Sequence, residues 1–157
     1  MASPETADAT EPSLSWLGEP GFVLRPLATI WATVELERAL VDLGIDAARA
    51  VDAIEDPLLG ARVVVVAGDD ATIALAEPST EGRLAASLAR HGEGPAGRYL
   101  GPPLSLDVVR ARAAAAGVTL SRSAVGPFGP SLLVLGRGRL GDASVILADP
   151  AAVPSRP

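Results

Sequence analysis

The sequence lacks or is poor in several residue types that reactive sites commonly use. It contains no cysteine, which excludes disulfide bonds and thiolate metal sites. Its single histidine, His91, is the only side chain that ordinarily titrates near neutral pH. Because His91 lies in a connecting segment, a solvent-exposed residue is favoured over a catalytic one. Aromatic residues make up only 3% of the chain and hydrophobic residues 48%, so we expect a core of Val, Leu, Ile and Ala.

Other absences limit the partners that the chain could have. No surface combining basic and aromatic residues is apparent, so a nucleic-acid partner is not expected. The net charge is −6, from 13 basic and 19 acidic residues. No apolar run approaches the length of a membrane span, and the amino terminus has no signal-peptide pattern. We therefore expect a cytoplasmic protein that acts on a small molecule and has no membrane partner.

The length of 157 residues favours one domain with short tails. Residues 1–21 are rich in Ser, Thr, Pro, Glu and Ala, which predicts a mobile acidic tail. Residues 22–150 are predicted to form the domain, and residues 151–157 a second tail.

A helical connector divides the domain into two halves of similar plan. After Pro78, a capping Ser79 or Thr80 and the spacing of Leu84 and Leu88 predict a helix over Thr80–Arg90. The first module, residues 22–77, is predicted to contain strands and one helix in the following order: strand Leu27–Val34, helix Glu35–Leu43, a weak strand Ala48–Ile54, and strands Ala61–Ala67 and Ala71–Glu77.

The second module, residues 97–150, repeats this order after a connector over residues 78–96. Its predicted elements are strand Gly97–Gly101, helix Leu106–Ala116, strand Val118–Ser121, and a hairpin of Ser131–Leu135 and Ser144–Asp149. The expected fold class is α+β, with two paired β-α-β-β-β modules forming one cupped mixed sheet.

Several segments carry a resemblance to a known family. They are Ile73–Pro78 (IALAEP), Leu84–Gly94 (LAASLARHGEG), Ala115–Val118 (AAGV) and Ser144–Pro150 (SVILADP). In this order and spacing the chain resembles the vicinal oxygen chelate superfamily, most of all its methylmalonyl-CoA epimerase and glyoxalase-like branch. The resemblance implies a divalent metal inside the cupped sheet, held by His, Glu or Gln side chains from four strands.

The positions that the resemblance assigns to metal ligands hold residues without suitable donors. These positions are Thr29, Leu59, Ala74, Gly97 and Ile146. Divalent metals need imidazole or carboxylate donors, and only Thr29 offers even a weak hydroxyl. The sequence therefore predicts that the metal ligands are lost and that the protein has no cofactor.

Candidate site residues follow from the strand period of two. Thr29, Trp31 and Thr33 share one face of the first predicted strand, and Tyr99 lies at the equivalent place in the second module. We expect Tyr99 and Thr29 to be catalytic, through hydrogen bonds to a ligand carbonyl, although Tyr99 as a core residue is equally compatible. Trp31 either fills the cup or stacks on a flat ligand. The predicted substrate-binding residues are Trp31, Thr33, Leu59, Ala74, Ser131 and Ile146.

Three functions are compatible with this pattern. The first is a metal-independent isomerase, lyase or cyclase acting on a small carbonyl-bearing or polyketide-like substrate. The second is a non-catalytic protein that sequesters a small molecule, and the third is a degenerate structural or partner-binding domain whose cup has collapsed. A filled cup favours the third function, whereas an open cup favours the first two. A homodimer is expected in each case.

Overall fold

The computed structural model describes residues 13–18, 23–135 and 143–149. The predicted tail over residues 151–157 and most of the tail over residues 1–21 lie outside these described residues. Within them, no helix is both long and apolar enough to cross a membrane.

The described residues form a curved mixed sheet of nine strands. The strands are β1 (Arg25–Ala32), β2 (Ile54–Asp56), β3 (Ala61–Ala67), β4 (Thr72–Pro78), β5 (Gly94–Gly101), β6 (Thr119–Leu120), β7 (Ala124–Gly126), β8 (Gly129–Leu135) and β9 (Ser144–Ala148). The α-helices are α1 (Leu36–Asp42), α2 (Arg83–His91) and α3 (Leu106–Ala116), and 3₁₀ helices cover Ser15–Leu17 and Ala47–Asp52.

The order of the strands gives the two modules matching arrangements. The sheet runs β2-β3-β4-β1-β5-β9-β8, with β6 and β7 pairing with successive parts of β8. The first strands of the modules, β1 and β5, lie antiparallel at the centre, and each has the last strand of its own module beside it in parallel. The predicted α+β fold of two β-α-β-β-β modules in one cupped sheet is confirmed.

The connector differs in detail from the prediction. Helix α2 begins at Arg83, not Thr80, and Gly82 precedes it without a side-chain cap. The side chains expected to cap the helix make other hydrogen bonds. The Ser79 hydroxyl donates to the carboxylate of Glu55, and the Thr80 hydroxyl donates to the carbonyl of Gly60 at 3.5 Å. Strand β5 then begins at Gly94, so the second module starts earlier than residue 97.

Both faces of the sheet are packed, but with different partners. Helix α1 covers Val64 and Leu75 on the outer face, and α3 covers Leu132 and Leu147 on the same face. The concave face, which we call the cup, holds a separate apolar cluster, and of the helices in the described part of the chain only α2 packs against it, at its rim. Because side chains alternate between faces along each strand, this arrangement buries both sides of the valine-rich β3.

An ionic cluster fixes α1 to the outer face. The guanidinium of Arg62 on β3 lies 2.9 Å from a carboxylate oxygen of Glu37 and 3.0 Å from one of Glu77. Glu77 also accepts a 2.7 Å hydrogen bond from the backbone N–H of Leu36, the first residue of α1. The hydrogen bonds that Arg62 donates to Glu77 and Glu37 raise the pKa of its guanidinium. The cluster therefore satisfies a helix terminus that has no side-chain cap of its own.

The segment around Ser15–Leu17 belongs to the folded body, although the sequence placed it in a mobile tail. Leu17 is fully buried in the cluster beneath α3, in company with Leu100 and Val109. The Arg112 side chain of α3 donates a hydrogen bond to the carbonyl of Leu17. The sequence favoured a tail here because Leu14, Trp16 and Leu17, within a polar, proline-containing segment, gave no periodic signal.

Candidate functional site

The cup is filled with side chains. Its buried cluster consists of Ala28, Ile30, Ala32, Leu59, Ala61, Val63, Ala74, Ala76, Leu84, Ala96, Tyr99, Leu133 and Ile146. Four of the predicted site residues belong to this cluster. They are Leu59, Ala74, Tyr99 and Ile146, and each is at most 1% exposed. The structure thus brings these four together, but within a packed interior.

One buried carboxylate interrupts this apolar interior. Asp56, at the end of β2, is 1% exposed and accepts a hydrogen bond from the Tyr99 hydroxyl. Its other carboxylate oxygen accepts a 2.9 Å hydrogen bond from the backbone N–H of Leu58. A buried carboxylate is costly unless hydrogen bonds compensate it, and these two donors do so.

The tyrosine side chain is held on both its ring and its hydroxyl. The ring of Phe128 packs against that of Tyr99 at a centroid distance of 5.0 Å and an angle of 52°. Burial, followed by the charge and hydrogen bond of Asp56, raises the pKa of Tyr99 strongly. Tyr99 is therefore a neutral donor in the folded protein, and its proton is committed to Asp56.

The residues of the cup do not fit a divalent metal. Among the described residues, no three His, Cys, Asp or Glu side chains come together as metal ligands. Asp56 is the cup's buried acid, and its oxygens are taken up by Tyr99 and Leu58. At Gly97 the backbone leaves no room for a ligand side chain, because an added Cβ atom would lie 2.0 Å from the carbonyl oxygen of Ser144. Gly97 also has a φ of +151°, which side-chain-bearing residues rarely adopt.

The predicted alignment of Thr29 and Trp31 with Tyr99 in one cavity needs correction. In β1 it is Ala28, Ile30 and Ala32 that point into the cup, so Thr29 and Trp31 point to the other face. Trp31 is 38% exposed and does not fill the cup. The predicted facing of β1 was shifted by one residue, and such a shift moves every side chain of a strand to the opposite face of the sheet. Both sets of alternate positions in β1 contain small or apolar residues, so the sequence pattern alone did not determine which set faces the cup.

Thr33 and Ser131 are both fully buried, but each has a local partner. Thr33 lies just beyond β1, where its hydroxyl is 3.2 Å from a carboxylate oxygen of Glu93 in the connector. The Ser131 hydroxyl donates a 2.9 Å hydrogen bond to the carbonyl of Gly129 within its own strand. Both hydroxyls therefore have hydrogen-bond partners within the protein itself.

An open groove of about 320 Å³ lies at one end of the sheet, between the first half of β1, the β3–β4 turn and the end of β5. Its lining residues are Pro26, Leu27, Ala28, Thr29, Gly68, Asp69, Asp70, Ala71, Thr72, Arg98, Tyr99 and Leu100. Thr29 and Tyr99, the two predicted catalytic residues, are both among these lining residues, but Tyr99 is fully buried and its hydroxyl is bonded to Asp56. Thr29 also lies opposite Arg98 in the β1–β5 register.

Sequence reasoning missed Asp56 and Arg98. Asp56 precedes Pro57, and an Asp-Pro pair indicates a turn in which the carboxylate accepts a nearby backbone N–H, as it does from Leu58. That local role concealed the long-range one with Tyr99. Arg98 alternates with Tyr99 along β5, but nothing local distinguishes it from any exposed arginine on a strand.

Comparison with known proteins supports the fold. The chain matches no protein-family model and no curated protein. A methylmalonyl-CoA epimerase of Mycobacterium tuberculosis matches with a TM-score of 0.64 at 19% identity, covering 87% of this chain and 95% of the other. A hypothetical protein of Bacillus halodurans matches with a TM-score of 0.59 at 18% identity, over 80% and 94%.

A third solved structure of this kind carries a ligand. It is a variant methylmalonyl-CoA epimerase of Streptomyces coelicolor in complex with 2-nitronate-propionyl-CoA, with a TM-score of 0.58 and 18% identity over 85% of this chain and 100% of the other. These likenesses establish that the chain has the vicinal oxygen chelate fold, as the sequence resemblance implied. At such identities they establish the fold alone.

Proposed function

We propose that the protein binds a small carbonyl-bearing molecule in the groove between β1, the β3–β4 turn and β5, without a metal ion. The observation that carries this proposal is the groove itself, whose volume of about 320 Å³ lies within the range of small-molecule sites. Among the described residues, this groove lies beside Tyr99 and the packed cup.

The groove has polar groups suited to an oxygen-bearing ligand. Thr29 and Thr72 contribute hydroxyl donors, and Arg98 contributes a guanidinium that recognises carbonyl, carboxylate or phosphate oxygens. Pro26, Leu27 and Leu100 supply apolar contact area. The Tyr99 hydroxyl is bonded to Asp56, so this residue shapes the groove and is not the primary donor to the ligand.

The finer proposal is an isomerase- or lyase-type reaction in this groove. It is supported by solved structures of methylmalonyl-CoA epimerases that have the same fold. Thr29 and Arg98 would stabilise a developing oxyanion, and Asp69 or Asp70 on the facing turn would accept a proton from carbon. Turnover without binding of a metal distinguishes this reaction from metal-stabilised enolate chemistry.

A ligand screen by NMR tests the binding proposal. Small 2-oxo acids, methylmalonate and methylmalonyl-CoA are added to ¹⁵N-labelled protein, with chemical shifts followed at residues 27–29, 69–72 and 98–100. We expect perturbations concentrated in these residues, and we expect Thr29→Val to weaken binding about threefold to tenfold by removing one neutral hydrogen bond. Thr119→Val, on the exposed surface of β6, is the matched control.

The same samples separate binding from catalysis. Incubation with methylmalonyl-CoA in D₂O, with and without EDTA, reports exchange of the proton on carbon. Exchange that persists in EDTA and falls in Asp69→Asn or Asp70→Asn supports the isomerase. Saturable binding without exchange supports sequestration, and a complete lack of groove perturbation by every probe contradicts a small-molecule site.

A second candidate is a partner-binding domain that assembles with its own copy. It is supported by the filled cup and by Trp31, which is 38% exposed and belongs to neither cluster beneath the outer helices. An exposed tryptophan of this kind is typical of protein interfaces. Light scattering of wild type and Trp31→Ala tests it: a dimer mass in the first and a monomer mass in the second supports a homodimer that uses this face.

A further inference from the structure

We propose that the Tyr99–Asp56 hydrogen bond joins the two modules across the cup, inside which the sequence resemblance places a metal ion. This inference concerns the interior of the cup and does not depend on the ligand proposed for the groove.

The two residues lie in different modules of the sheet. Asp56 ends β2, the outermost strand of the first module, and Tyr99 lies in β5, the first strand of the second module. Three strands, β3, β4 and β1, separate them in the sheet. Their hydrogen bond therefore crosses the open side of the curve and does not follow the sheet.

The same carboxylate also lies close to β7. An added Cβ atom at Gly126 of β7 would lie 3.2 Å from a carboxylate oxygen of Asp56, so β7 passes directly over the carboxylate. Asp56 thus accepts a hydrogen bond from β5 and lies close to β7, while the backbone N–H of Leu58 binds its other oxygen from within the first module. The two outer edges of the sheet meet at this residue.

The burial of this pair has an energetic consequence. The other side chains of the cup cluster are apolar, and a carboxylate buried among them is stable only while its donors remain. The pair therefore couples the two modules strongly: separating them would leave the carboxylate with one donor fewer. The same packing removes the space and the free oxygens that a metal ion would need.

A double-mutant cycle in urea tests the proposal with wild type, Tyr99→Phe, Asp56→Asn and the double variant. Tyr99→Phe should raise the unfolding equilibrium constant about tenfold to hundredfold, because the bond involves a charged acceptor. The double variant should be less destabilised than the sum of the single variants, by at least about fivefold in that constant. Ser131→Ala is the control: it removes a buried hydroxyl bonded within its own strand, and it should show no such coupling to Asp56→Asn.

Native-state hydrogen exchange provides a readout that general loss of stability does not reproduce. In Tyr99→Phe, amides of β2 and β7 should exchange at least about tenfold faster relative to those of β3 and β4, whereas Ser131→Ala should leave this ratio unchanged. The urea midpoint of the wild type should be the same with EDTA and with added Mn²⁺, Co²⁺ or Zn²⁺. Coupling below about twofold, or an unchanged exchange ratio, would overturn the proposal. So would a urea midpoint that rises saturably with one of these ions and falls with EDTA.

Discussion

The hydroxyl of Tyr99 donates a hydrogen bond to the carboxylate of Asp56, a residue 43 positions earlier in the chain, inside an otherwise apolar cup. This hydrogen bond lies within an interior that was expected to hold a ligand and is packed with side chains instead. It also predicts a measurable change in the titration of the Tyr99 hydroxyl.

The first prediction concerns alkaline pH. Burial and Asp56 raise the pKa of Tyr99 in the folded state above its ordinary value of about 10. The associated stability is thus present below about pH 10 and is lost as the pH rises further, by up to about 1.4 kcal/mol per pH unit, because the unfolded tyrosine ionises first. Tyr99 is the only tyrosine, so absorbance of phenolate reports this group alone, and the chain has no lysine to titrate in the same pH range.

We expect no phenolate signal near pH 10 in the native protein, and its appearance together with loss of the circular-dichroism signal at higher pH. In concentrated urea the same group should titrate near pH 10. Reversible titration at about pH 10 with the fold intact would contradict the buried pair.

The second prediction concerns Gly97. Gly97→Ala places a Cβ atom 2.0 Å from the Ser144 carbonyl oxygen on rigid strand backbone and also requires a φ of +151°. We expect a loss of at least about 3 kcal/mol in the free energy of unfolding, measured by urea denaturation, or failure to fold. Gly101→Ala in the same strand is the control, since its nearest contact is 3.5 Å from a Leu27 methyl group. Similar costs for both variants would show that the β5–β9 approach is not the cause.

The third prediction concerns the attachment of α1. Glu77→Ala removes a partner of Arg62 and the acceptor of the Leu36 N–H, so we expect a loss of about 1–2 kcal/mol in urea denaturation. Partial exposure of the cluster keeps the value modest. Asp52→Ala, which removes an exposed partner of Arg49, should have no measurable effect. Equal effects of the two variants would indicate that Glu77 acts only as a surface charge.

The fourth prediction concerns the segment before the first strand. Leu17→Ala removes a fully buried side chain from the cluster beneath α3, and we expect a loss of about 2–3 kcal/mol in the free energy of unfolding. Val51→Ala, at a position 85% exposed, is the control and should be near neutral. Wild-type stability of Leu17→Ala would mean that the segment is not part of the cooperative core.

The sequence by itself determined the fold because its signals there are local and repeated. The apolar run in Ala61–Ala67 and the spacing of Leu84 and Leu88 in the connector depend only on neighbours in the chain, and the order of such segments indicated the two modules. The positions that lack metal donors were indicated by the family resemblance.

Only the tertiary structure decided which side of β1 faces the cup and what occupies the cup. Ala28 and Thr29 are adjacent in β1 and therefore face opposite sides of the sheet. Both alternate sets of residues in the strand tolerate burial, so packing against Tyr99 and Ile146 decided which set faces the cup. The partner of Asp56 was equally hidden, since Asp56 and Tyr99 are far apart in sequence and meet only when the sheet curves. Local patterns fix where strands begin and end, whereas long-range contacts decide which side chains those strands bring together.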